Sequence, residues 1–316
     1  MRILFFGSPA ESADSLESLV SAGHEIVAVY SQPDRRAGRG RTMSPTPVKT
    51  NALKHGLQVF TPKGLRNNKE EFSRLAELNA DVFVVVAYGR ILPVEVLQIP
   101  SMGVVNIHPS LLPKYRGPSP VVTAILDGQA ETGVTIMLLD EGMDTGPILA
   151  QSEPIGLTGN ERGTDLQATL FKEGAKLLPG VLEGLQQGSI TPRQQDDSAA
   201  TVTRLLERAD GEIDWTASAA QIDRMVRAYD PWPGTFTSWN GKGLKILEVT
   251  AGGDSPADSA SSASRGSVSV SGGRLFVGTA SGSIEVLRLQ LEGRQAVAAA
   301  DFLRGQPEID GAVLGG

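Results

Sequence analysis

The sequence has no cysteine and only three histidines, His24, His55 and His108. The first absence excludes disulfides, thiolate nucleophiles and cysteine-ligated metals, and it suits a reducing cytoplasm, the location expected here. The second leaves little for a histidine-rich metal centre, so no metal is expected. Aromatic residues make up 5% of the chain. No apolar run approaches the roughly 18 residues of a membrane helix, so no membrane association is expected. The opening MRILFFGSP reads as a strand and a turn. Its apolar part is too short for a secretory leader, and it is too poor in Arg and Ser for a transit peptide. An excess of positive charge is missing too, because the formal net charge is −7. A local basic patch can still act within an acidic whole.

What is present is a chain of 316 residues, 40% hydrophobic and 21% charged. Single cores stop growing at about 250–300 residues, so two domains are expected. RILFF (2–6), EIVAVY (25–30), DVFVVVAY (81–88), GVVNIH (103–108) and VTIMLL (134–139) read as strands. Their near-continuous apolar character suits strands covered on both faces. Helices are expected at 10–21, 118–126 and 164–185. Such alternation implies an α/β fold, with a mainly parallel sheet and helices on both faces.

The tail differs. A helix at 216–228 is followed by the short runs TFTSW, LKILEV, SVSV, RLFVG and SIEVLRL, and then by a final helix at 296–305. Strands at this spacing suggest a small barrel or sandwich. The polar stretch 190–206 reads as a linker, and the serine-rich 252–266 as a loop. Trp232, Trp239 and Phe236 read as packing residues more than as platforms for nucleic-acid bases.

In open α/β sheets, ligands bind beyond the carboxyl ends of the strands. The segment NIHPSLLPKYRG (106–117) leaves one such end. Asn106 and His108 are two residues apart on a strand, so both side chains share a face. Asp144 lies in DEGMDTG (140–146), just beyond VTIMLL, where glycines allow a tight turn. His24 and His55 fit an ordinary turn and a helix end, both structural places. An amide donor, an imidazole and a carboxylate suit attack on a carbonyl by a nucleophile that the substrate brings. The donors stabilise the oxyanion, and the carboxylate orients the imidazole. Ser110 keeps a Ser-His-Asp hydrolase open, although no G-x-S-x-G elbow surrounds it. The GSP turn after the first strand raises a nucleotide-dependent oxidoreductase, but it lacks the G-x-G-x-x-G cradle. A half-buried structural histidine is an equal reading of His108 taken alone.

Taken together, NIHPSLLPKYRG and VTIMLLDEGMDTGPIL resemble the signature of the folate-dependent formyltransferases. The resemblance implies a Rossmann-like first domain that carries a formyl group from 10-formyltetrahydrofolate to an amine. It implies catalytic roles for Asn106, His108 and Asp144. It also implies a folate-contacting loop of Ser110, Leu111, Leu112 and Pro113, with the pterin between that loop, the segment after AYG (87–89) and residues around Asp140.

Two further stretches resemble the members of the family that formylate initiator methionyl-tRNA. QPDRRAGRGRTMSPTPVK (32–49) is similar to their insertion loop, which reaches into the acceptor arm and implies Arg39 and Arg41 as tRNA contacts. IDW (213–215), YDPWPGTF (229–236) and the runs after them resemble their tRNA-binding C-terminal β-barrel, an OB-like domain. Pro109 stands where many relatives have Gly, and the loop reads DRRAGRG where DRPAGRG is common. Neither change removes a side chain assigned to chemistry. The expected organisation is a catalytic domain at 1–189, a linker at 190–206 and a β-barrel domain at 207–316, in a monomer. Residues 205–316 carry ten Lys and Arg against fourteen Asp and Glu. A tRNA-binding face there must therefore concentrate its positive charge. A formyltransferase for small amines would share the first domain and need neither the arginine loop nor the barrel.

Overall fold

A computed structural model describes residues 1–37, 42–252 and 265–315. The chain forms two compact units. The first comprises 1–120, 131–156 and 167–203, and the second 121–130, 157–166 and 204–316. Arg39 and Arg41, and most of the serine-rich stretch, lie outside the described residues.

The strands of the first unit are β1 (Arg2–Gly7), β2 (Glu25–Tyr30), β3 (Arg35–Ala37), β4 (Thr42–Ser44), β5 (Val59–Phe60), β6 (Val82–Val86), β7 (Val104–His108), β8 (Glu131–Thr132), β9 (Thr135–Leu138), β10 (Ile148–Gln151) and β11 (Ile155–Gly156). In chain order the helices are α1 (Ala10–Ser21), α2 (Pro47–Lys54), α3 (Lys69–Glu77), α4 (Val94–Leu97), α5 (Pro120–Leu126), which but for Pro120 belongs to the second unit, and α6 (Gly163–Gln187), which belongs to the first unit from Gln167 on. The central sheet has the order β10-β9-β7-β6-β1-β2-β5. It is parallel from β7 to β5, whereas β9 runs antiparallel to both β7 and β10.

Every residue of β6, VFVVV, is buried. Each such side chain contributes roughly 1.5–3 kcal/mol when it leaves water, and β-branching suits the pleated backbone. Helices cover both faces. On one face, Leu75 of α3 and Val96 of α4 join Leu4, Phe6, Phe83 and Val85 in an apolar cluster. On the other, α6 presses so closely that a Cβ on Gly174 would lie 2.5 Å from Ile107 Cγ2. Gln167 Nε2 of α6 donates to Glu11 Oε1 of α1 at 3.3 Å.

The helix at 47–54 ends at His55, as the helix end expected there requires, whereas the helix at 69–77 lies where no element was expected. Both have legible starts. Thr46 and Asn68 cap them by accepting from Lys49 N at 3.1 Å and Glu71 N at 3.2 Å.

The second unit contains α7 (Ala219–Ala228), β12 (Thr235–Trp239), β13 (Lys242–Ala251), β14 (Val268–Ser271), β15 (Arg274–Gly278), β16 (Ser283–Leu291), β17 (Val297–Ala298) and α8 (Ala299–Gly305). Its antiparallel sheet runs β12-β13-β16-β15-β14, with β17 beside β16. Register shifts around Glu248 mark irregularities of the kind that bend a strand. Two of the expected helices begin later. A capping box of Ser218 and Gln221 starts α7 at Ala219, and Val297–Ala298 pair with β16 before α8 begins. Trp239 is buried and meets Phe302 edge-on at 5.8 Å. Trp232 corrects the packing expectation, since 54% of it is exposed. It stands between two prolines in the turn after α7, where no strand alternation turns it inward.

Candidate active site

The strand β7 delivers the first two groups. Asn106 pairs with Met137 and His108 with Thr135 across the antiparallel β7–β9 ladder. The two-residue period places Asn106 and His108 on one face, while Ile107 between them meets α6. Asn106 is half-buried, and its side-chain amide has no hydrogen-bond partner among the described residues. His108 is buried, with Nε2 2.9 Å from the carbonyl oxygen of Tyr115. That oxygen can only accept, so Nε2 carries a proton. Nδ1 is then the nitrogen left for chemistry, and it lies 3.6 Å from Asp144 Oδ2. This separation is too long for a hydrogen bond.

Asp144 comes from the loop after β9. Its own backbone is left-handed, with φ at 53°. Such a conformation costs a non-glycine residue on the order of 1–3 kcal/mol, so the surroundings must hold it. They do so from several sides. Gly117 N donates to Asp144 Oδ2 at 2.8 Å. Asp140 Oδ1 accepts from Gly142 N and Thr145 Oγ1 within the loop. At Gly146 a Cβ would fall 1.9 Å from Leu138 O, so the loop closes there only with glycine.

The loop of Ser110, Leu111, Leu112 and Pro113 leaves the same strand end. Ser110 is buried, and its hydroxyl donates to Lys114 O at 2.7 Å. That commitment removes it as a nucleophile partnered by His108, and with it the hydrolase alternative. Thr135 fastens the loop by donating to Ser110 O and accepting from Leu112 N. Gln151 Nε2 donates to Leu112 O. Leu111 and Pro113 are only partly buried, so they present the loop's remaining surface.

The AYG segment ends β6 in an unusual backbone, with positive φ at Ala87 and Gly89. Tyr88 O accepts from Ser8 Oγ and Gln32 Nε2, and Arg90 Nε donates to Gln32 Oε1. In the basic stretch 32–49, Arg35 and Arg36 are exposed, whereas Lys49 pairs with Asp34 at 2.8 Å. Among the described residues, no group of three or more His, Asp or Glu side chains is placed to hold a metal.

Two further residues of this region carried no role in the sequence reading. Arg116 is buried, and its guanidinium donates to Gln195 Oε1 at 2.9 Å and to Asp197 Oδ1 at 2.7 Å. Gln195 Nε2 in turn reaches the carbonyls of Asp144 and Gly146. The stretch expected to be a linker thus lies on the Asp144 loop. It also bridges Ile148 through Arg193 and Arg116 through Val202. Arg116 stood in plain view in the KYRG motif. Gln195 sat in a polar run with nothing to distinguish it.

The profile of the family described as formyl transferase matches residues 1–182, and that of the formyl transferase C-terminal domain matches residues 205–307. The chain belongs to the formyl transferase family.

Its relatives include the methionyl-tRNA formyltransferase of Chloroflexus aggregans, 48% identical over 98% of this chain and 99% of that protein. The enzyme of the same name from Roseiflexus sp. is 48% identical over 100% of this chain and 95% of its own length. Among solved structures, an N-formyltransferase from Helicobacter canadensis, in complex with folinic acid and dTDP-3-aminofucose, shares the fold. Its TM-score is 0.66 and its identity 19%, over 90% of this chain and 98% of that one. HypX from Aquifex aeolicus in complex with tetrahydrofolic acid gives a TM-score of 0.65 at 18% identity, over 97% of this chain and 47% of that one.

Proposed function

We propose that this formyl transferase moves the formyl group of 10-formyltetrahydrofolate onto the α-amine of methionine carried by initiator tRNA, for use in translation initiation. The observation that carries the reading is the His108–Asp144 pair beside the unpartnered amide of Asn106. The two matched domains and the nearly full-length likeness to methionyl-tRNA formyltransferases support the acceptor. Such an enzyme works in the cytoplasm, and we take it to act as a monomer.

The folate supplies a formyl group on a nitrogen that can leave once protonated. The chain's own residues do the rest. Asn106 donates its amide N–H to the formyl oxygen, and His108, in its doubly protonated form, donates from Nδ1 as negative charge grows there. Asp144 keeps the imidazole oriented and, through a water, receives the proton that the amine sheds; that proton then passes to the folate nitrogen as its bond to the formyl carbon breaks. A free α-amine titrates at about 7.7–8.0 and the ester lowers this, so a neutral fraction exists without a strong base. Holding that amine against the formyl carbon lowers the barrier by several kcal/mol on its own. Leu111 and Pro113 offer apolar surface to the pterin, since the polar groups of Ser110 and Leu112 are already engaged. Arg39 and Arg41 follow the phosphates of the acceptor arm.

Transfer of labelled formyl from the folate donor, run in parallel with charged initiator tRNA and with small amines, tests the reading. Label in the aminoacyl-tRNA is expected. Label in the small amines alone would replace this acceptor with another.

A further inference from the structure

The carboxylate of Asp144 has to face His108 although its backbone resists the conformation that puts it there. Three groups restrain it, and none belongs to the Asn-His-Asp set. Gly117 N–H holds Oδ2 at 2.8 Å. Gln195 Nε2 donates to Asp144 O at 2.8 Å and to Gly146 O at 2.7 Å, which fixes the backbone on both sides of Thr145. Arg116 Nε donates to Gln195 Oε1 at 2.9 Å. The orientation of the Gln195 amide follows from its partners. A guanidinium only donates and a carbonyl only accepts, so the amide oxygen must face Arg116 and the nitrogen must face the loop. Arg116 is itself held from several sides. It is 6% exposed, its N–H donates to Thr201 O, and its carbonyl accepts from Thr203 N.

We infer that Arg116 and Gln195 are positioning residues for the reaction: together they hold the Asp144 loop in its left-handed turn, so that the carboxylate stays beside His108. The inference builds on the proposed function for its kinetic consequence, but not for its geometry. Gln195→Met keeps the length of the side chain and removes its hydrogen bonds. Two carbonyls then lose a donor, and the loop is free to relax. A displacement of about 1 Å at a catalytic group can cost on the order of 100-fold in rate.

The experiment compares Gln195→Met with the wild type in two ways. The first is steady-state formylation of methionyl-tRNA. A fall in kcat of roughly 10- to 100-fold is expected, with KM for both substrates within about threefold and an essentially unchanged melting temperature. The second needs no activity. The chain has three histidines, so the ring-nitrogen NMR signals of His108 are separable from those of His24 and His55. The His108 signals are expected to move, and the other two to stay. Arg116→Lys, which keeps the charge but not the planar fork, should move the same signals. Its effect on kcat should not add to that of Gln195→Met, because both act through one strut.

Unchanged His108 signals with kcat near that of the wild type would overturn the inference. So would a loss of activity in step with the melting temperature, which would mark a residue that only supports the fold. If the wild type itself transfers no formyl group, the proposed function fails, while the ring-nitrogen comparison still decides the positioning role.

Discussion

His108 Nδ1 and Asp144 Oδ2 lie 3.6 Å apart, although the two residues belong to different strands' ends and are separated by the whole of α5. The gap exceeds a hydrogen bond, and the proposed mechanism gives both groups work in the transfer and neither in holding the tRNA. Replacing either partner should therefore affect turnover far more than binding. Asn106→Ala, His108→Ala and Asp144→Asn are each expected to lower kcat by roughly 10²–10⁴-fold, with much smaller changes in tRNA affinity. Single-turnover formylation checks this, and near-normal turnover of purified Asp144→Asn would contradict the assignment.

Gly117 combines two demands. Its φ is 101°, and a Cβ there would lie 2.7 Å from Thr203 O. Gly117→Ala should destabilise the protein by about 1–3 kcal/mol and disturb the N–H that holds Asp144. Gly180 is the matching control, because a Cβ at that position in α6 meets nothing within 4 Å. Gly180→Ala should raise stability by about 0.4–1 kcal/mol. Thermal melts of the pair check both signs. A Gly117→Ala protein as stable as the wild type would remove the steric argument.

The Tyr88 hydroxyl is buried, with no hydrogen-bond partner among the described residues. Burial pushes its pKa up to about 12 from 10.0. Folding therefore favours the protonated phenol. Its contribution is fully present below about pH 10 and is lost as the pH climbs through about 12. Tyr88→Phe should leave neutral-pH stability unchanged or up by about 1 kcal/mol, because no bond is lost. It should also flatten the decline in stability between those two pH values. Denaturant titrations across that range measure both effects, and an equally steep decline in the variant would count against this account.

Arg39→Ala and Arg41→Ala should weaken the use of methionyl-tRNA and leave the folate donor's KM unchanged. The tRNA effect should shrink as salt rises, since each phosphate contact releases counterions. KM measurements at two ionic strengths check it, and variants that use the tRNA normally would end the loop's assigned role.

The parts of the fold legible in sequence were those with a strong period. Strands such as VFVVV and the helix at 10–21 stand where the apolar pattern puts them. The helix at 69–77 escaped because its sequence, KEEFSRLAE, offers few apolar residues. Its cap, Asn68, was the only clear mark. The convergence of His108 and Asp144 was expected from carboxyl strand ends. Yet β9 runs antiparallel to β7, so its end at Leu138 lies beside Val105, and the loop after it folds back to bring Asp144 to His108. Gln195 was not expected, because nothing local tells an amide that braces a distant loop from one that faces water. Its role exists only through partners some 50 and 80 residues away.

Arg116 finds its backbone partners, Thr201 and Thr203, far downstream in the chain. A nascent chain that has emerged only as far as residue 189 already carries all three reactive side chains and every strand of the central sheet. It still lacks Gln195, the donor to the carbonyls of Asp144 and Gly146. A fragment stopping at residue 189 would therefore lack both the Gln195 amide that reaches the Asp144 loop and the two threonines that bind the backbone of Arg116.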